Sequence, residues 1–120
     1  MSPAKKTQEM KVYISADMEG VAGVVNEEQL RPQGFEFQQF RSFMTAEVNA
    51  AIEGAREEGA TEIVVSDSHG TGLNLLMDEL PQDIQLVRSC PRRHDLSLRK
   101  RRGKVCSAGR NCSRSTSRVR

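Results

Sequence analysis

The 120 residues predict an α/β domain: an incomplete parallel sheet in the order β-α-β-α-β, followed by a disordered basic tail. Two short runs rich in β-branched residues flank a long stretch whose apolar residues recur every three or four positions. Alternation of strand and helix calls for parallel strands joined by right-handed crossovers. The hydrophobic pattern then stops after Arg88.

The elements follow in order. Residues 1–10 are polar and are expected to be a flexible N-terminus. From Lys11 to Ala16, Val12, Ile14 and Ala16 alternate with Tyr13 and Ser15, the period of a strand. Asp17-Met18-Glu19-Gly20 ends it, and Asn26 is a candidate cap for a short turn before Pro32 and Gly34 mark a loop. Between Gln38 and Glu58, Phe40, Phe43, Met44, Val48, Ala51, Ile52 and Ala55 form one helical stripe, and Gly59 suits the position just past the helix end. Thr61 to Ser66 reads as a second strand, its Ile63-Val64-Val65 run implying burial on both faces. A short helix over Leu73–Leu80, stopped by Pro81, and a third strand over Ile84–Val87 complete the body. Three strands and two helices bury little surface, so the body reads as the opening of a larger fold.

The net charge of +2 conceals two unlike halves. Residues 1–87 hold 6 basic and 15 acidic residues, a balance of −9, whereas residues 88–120 hold 12 basic residues and one acid, a balance of +11. All three cysteines (Cys90, Cys106 and Cys112) fall in the basic segment, at spacings that match neither a C-x-x-C zinc site nor a closed disulfide set. With few apolar residues and no periodicity, residues 88–120 are expected to be a disordered tail. Their Arg, Ser and Cys content beside an abruptly lost pattern is also what translation out of frame would produce. No apolar run approaches the roughly 20 residues that span a bilayer, and Met1–Met10 lacks the apolar core of a secretory signal. A cytoplasmic protein without membrane partners is expected.

Two predicted parallel strands run directly into clusters of metal-ligand residue types. Open α/β sheets place their sites at the carboxyl ends of strands, so Asp17, Glu19, Asp67 and His69 are expected to converge at one edge. Asp17 and Glu19 are separated by one residue and would point the same way in an extended stretch. Carboxylates with an imidazole suit zinc, or manganese. The plain alternative is an aspartate that caps a helix and an ordinary polar histidine. Glu47 sits on the helical stripe, where it reads as an edge residue reaching solvent rather than a buried acid near the site, and Met44 and Met77 read as packing residues.

The stretches KVYISADMEGVAGVV and FMTAEVNAAIEGAREEGATEIVVSDSHGTGLNLL resemble the N-terminal region of the D-aminopeptidases of the DppA type, metallopeptidase family M55, over about residues 10–87. The resemblance implies a cytoplasmic, homo-oligomeric zinc enzyme that releases D-amino acids from the N-terminus of short peptides. It also implies that Asp17, Glu19 and His69 are zinc ligands, with Asp17 bridging two metals. The family's further ligands, a His and a Glu, and its catalytic His have no counterpart here, so no catalytic residue is assigned. His94, in its Pro-Arg-Arg-His-Asp setting, does not resemble the family's glycine-flanked ligand. The expectation is therefore a truncated, inactive D-aminopeptidase. The rival reading is a non-enzymatic interaction protein whose basic tail binds nucleic acid through phosphates. That tail offers no aromatic residue for stacking on bases, so nucleic acid is not the expected partner.

Overall fold

The computed structural model describes residues 8–89 and, as backbone, two short strands further along, Lys104–Ala108 and Arg118–Val119. The body contains strand β1 (Met10–Ala16), helix α1 (Phe37–Glu57), β2 (Ala60–Asp67) and β3 (Gln85–Val87); the two later strands are β4 and β5. The sheet has the order β4-β1-β2-β3-β5. The pairs β1–β2, β1–β4 and β2–β3 are parallel, and β3–β5 is antiparallel. The α/β class and parallel sheet are thus as the sequence predicts. No helix among the described residues is long and apolar enough to cross a membrane.

Alternation in β1 sends Val12, Ile14 and Ala16 to one face, where they meet Ile63 and Val65 of β2 and Leu86 of β3. Helix α1 covers that face with Phe37, Phe40, Met44, Val48 and Ile52, placed at the spacings that return each to the same side. Each such buried side chain contributes about 1.5–3 kcal/mol relative to exposure. Gly59, at φ +94°, ends α1 in the left-handed region, and its amide bonds the Arg56 carbonyl. The stripe is narrower than its sequence pattern: Phe43 and Ala51 are exposed, and Phe43 packs edge-to-face on Phe40 with ring centroids 5.1 Å apart.

Two expectations need correction. The helix over Leu73–Leu80 does not form; only Met77–Glu79 makes a 3-10 turn. Side chains hold the segment's backbone groups in a loop instead. Asp67 accepts from the amides of Asn74 and Leu75, Thr45 Oγ1 from the Leu76 amide, and Arg41 Nε donates to the Asn74 carbonyl. Met77 is half-exposed in that turn and is not a core residue, whereas Met44 is fully packed. Residues 104–108 and 118–119, within the basic stretch, are strands: ladder bonds use backbone groups and need no apolar stripe. The remaining tail positions, including Cys90, His94 and Cys112, lie outside the described residues.

Candidate metal site at the carboxyl ends of β1 and β2

Asp17 follows β1 in extended conformation, and Met18–Gly20 then folds into a 3-10 turn closed by the Gly20 amide on the Asp17 carbonyl at 3.0 Å. Glu19 therefore returns toward Asp17 through a turn and not through the alternation of a strand. Beyond β2, the Ser68 amide donates to the Ala16 carbonyl at 2.8 Å, which prolongs the β1–β2 ladder by one step and delivers His69 beside Asp17. Gly70 (φ +51°) and Gly72 (φ +71°) turn the chain away immediately afterwards.

His69 Nδ1 lies 2.8 Å from Glu19 Oε2 and 3.2 Å from Asp17 Oδ1, and one ligand atom from each of the three residues lies within 4.8 Å of the others. Asp17 is buried, while the Glu19 side chain is half-exposed. The other ring nitrogen, Nε2, donates to the Leu30 carbonyl at 2.6 Å. A carbonyl can only accept, so the proton of a neutral imidazole resides on Nε2 and the Nδ1 lone pair faces two carboxylates. That arrangement calls for a proton, on Nδ1 or on a carboxyl, or a metal at its centre.

The acid–base properties agree. Burial raises the Asp17 carboxyl, the hydrogen bond and charge of Glu19 raise it further, and His69 offsets only part, leaving it at about 7 against an ordinary 3.8. Burial also acts upward on Glu19, but its hydrogen bond with Asp17, a backbone amide and His69 hold it below its ordinary value. For His69, burial disfavours the imidazolium, yet the Leu30 carbonyl and the two carboxylates outweigh it and raise the pKa. The cluster stores protons where a divalent cation would sit. Four-coordinate zinc with bonds of about 2.0–2.2 Å spaces its ligand atoms about 3.3–3.6 Å apart, so this donor set fits with small outward movements. A histidine that ligates through one nitrogen and donates the other to a backbone carbonyl is the usual outer-shell arrangement.

Asp67 does not join the group. Its two oxygens are occupied by the amides of Asn74 and Leu75 and by Asn74 Nδ2, at 2.7–2.8 Å, and it clamps the loop after the site. Glu47 is exposed, as expected of a stripe-edge residue, but its carboxylate also accepts from the Ala22 amide at 3.1 Å and so ties α1 to the loop after Glu19. Residue-type reasoning missed Leu30, because a backbone carbonyl carries no side-chain signature. The one available clue was Asn26, whose spacing to Gln29 is that of a capping box.

A family model for the M55 peptidases, described as D-aminopeptidase, matches residues 10–98. The D-aminopeptidase of Bacillus subtilis (strain 168) is 35% identical over 78 residues, which are 65% of this chain and 28% of that protein. A solved structure, the Zn-dependent D-aminopeptidase DppA from Bacillus subtilis, described as a self-compartmentalizing protease, superposes with a TM-score of 0.67 at 32% identity. That superposition covers 69% of this chain and 30% of the other, so the chain spans less than a third of the length of both relatives. With the family match running through both strand-end motifs and the sheet that carries them, the chain belongs to the M55 D-aminopeptidase family.

Proposed function

We propose that this chain supplies part of the metal centre of a zinc-dependent D-aminopeptidase, with Asp17, Glu19 and His69 as ligands. The observation that carries this reading is Nδ1 of His69 facing two carboxylates, one of them buried, at 2.8 and 3.2 Å. When bound, zinc supplies Lewis acidity that polarises a carbonyl and lowers the pKa of water to about 7. The chain's own residues hold and orient. Asp17 anchors the centre from the end of β1, Glu19 closes it from the 3-10 turn, and His69 contributes a nitrogen whose ring is fixed by Leu30.

Family membership supports a substrate class of short peptides with an N-terminal D-amino acid, cleaved by a homo-oligomer, with the cytoplasm as the proposed location. The further ligands and the catalytic His that the family resemblance implies have no counterpart among these residues. The 120-residue chain by itself therefore turns over such substrates poorly or not at all. Calorimetric titration of zinc into the chain tests the metal reading: one ion binds, and Asp17→Ala or His69→Ala weakens binding at least tenfold without unfolding the body. Equal zinc affinity in the folded variants would exclude these residues as ligands.

A further inference from the structure

The loop between the 3-10 turn at Glu19 and helix α1 is organised around a buried polar side chain that no ligand argument uses. Gln29 is 5% exposed. Its Oε1 accepts from the amides of Val25 and Asn26, at 2.6 and 3.2 Å. Its Nε2 donates to the Gly23 carbonyl at 3.3 Å and to Glu36 Oε2 at 2.8 Å. One amide group thus ties together the start, middle and end of the segment from Gly23 to Glu36. Asn26 Oδ1 completes the turn by accepting from the Glu28 amide at 3.0 Å. The next residue after Gln29 is Leu30, whose amide is bonded back to the Glu27 carbonyl and whose own carbonyl meets His69 Nε2.

We propose that Gln29 is a positioning residue for the metal centre: by fixing the Leu30 carbonyl against His69 Nε2, it keeps Nδ1 directed at Asp17 and Glu19. The inference deepens the zinc reading and rests on it for its consequence, though not for its geometry. A glutamine that merely glued a surface loop would need no buried four-way bonding next to a histidine partner. Here the hub sits one residue from the carbonyl that sets the ring's orientation. Glutamine is also specific to the task. The hub needs an acceptor for two amides and a donor for a carbonyl and a carboxylate, and only a carboxamide provides both in one planar group. Glutamate in its place would lose the donors and set a second carboxylate against Glu36.

Two measurements on the 120-residue chain test this. The first is metal-free: in nitrogen–proton spectra tuned to imidazole, His69 should show an Nε2–H resonance protected from solvent exchange. In Gln29→Glu that protection should fall at least tenfold while circular dichroism stays that of the folded body. The second is zinc affinity by competition with a chromophoric chelator, which should drop about 10–100-fold in Gln29→Glu, the usual effect of losing an outer-shell partner. Adding Glu36→Gln to that variant recreates an amide–carboxylate bond with the roles exchanged, and should restore most of both readouts. If Gln29→Glu does not fold, Asn26→Ala loosens the same turn more gently and should move both readouts in the same direction. Unchanged Nε2–H protection in a folded variant would overturn the proposal. Absence of zinc binding in the unsubstituted chain, with Nε2–H protection still dependent on Gln29, would sink the zinc reading alone and leave the positioning role standing.

Discussion

At the scale of single residues, the Asp17–Glu19–His69 cluster behaves unlike ordinary surface carboxylates. Asp17 is raised to about 7, so in the metal-free protein the folded state holds its proton more tightly than the unfolded chain does. Its contribution to stability is complete below the unfolded value near 4 and is lost as pH rises toward 7. His69 acts in the same direction: its raised pKa stabilises the fold below about 6.5 and fades as pH climbs through its folded value. Glu19, lowered, contributes above its ordinary value and loses that contribution only in stronger acid. Metal-free chain should therefore melt at a higher temperature near pH 5 than near pH 8, and Asp17→Asn should flatten that dependence. Added zinc should reverse the trend, because it would displace those protons and bind more tightly as pH rises. A metal-free melting temperature that increases from pH 5 to pH 8 would contradict the protonation pattern. Asp67 has a different role. Asp67→Ala strands two buried amides and should cost about 3 kcal/mol or more in denaturant unfolding.

At the scale of elements, α1 and the loop before it do separate jobs. Helix α1 is held to the sheet by a narrow stripe. Ile52→Ala, at a position with no exposure, should cost about 2–5 kcal/mol, whereas Phe43→Ala on the exposed side should cost well under that. The loop preceding α1 depends on close backbone approach. A Cβ at Gly34 would fall 1.9 Å from the Glu28 carbonyl oxygen, so Gly34→Ala must displace the turn that carries Leu30. That substitution should lower the melting temperature and also weaken zinc binding, although residue 34 touches no ligand. Loss of stability with zinc affinity intact would show that the loop and the site are independent.

At the scale of the molecule, a mostly parallel sheet with one covering helix presents a site at the carboxyl ends of β1 and β2, the edge at which open α/β sheets place their ligands. On the zinc proposal, Asp17, Glu19 and His69 would hold a cation, while the further ligands and the catalytic His that the family resemblance implies have no counterpart among these residues. The 120-residue chain should release D-alanine from a D-alanine amide at a rate orders of magnitude below that of the Bacillus subtilis relative, since members of a catalytic set do not contribute additively. Joining residues 1–87 to the corresponding remainder of that relative should restore turnover, and Asp17→Ala in the chimera should remove it. Robust turnover by the 120 residues alone would overturn the view that the set is incomplete.

Much of this was legible in the residues themselves. The alternation in β1, the three-and-four spacing along α1 and the Ile63-Val64-Val65 run are local consequences of strand and helix geometry, so they located the elements to within a residue or two and placed DMEG and DSHG at strand ends. Long-range partners decided the rest. The Leu73–Leu80 segment had a plausible helical composition, but Asp67 at the end of β2 and Thr45 and Arg41 on α1 bind its backbone groups. Asp67 resembled a fourth ligand until its oxygens met those same amides, and Glu19 reached the cluster through a turn that one-residue spacing does not foretell. The proton on His69 Nε2 is assigned by a main-chain carbonyl 39 residues away. Periodicity is written in each segment, because it reports which face of that segment avoids water. The identity of a polar group's partner is not, because only the packed chain brings the two together.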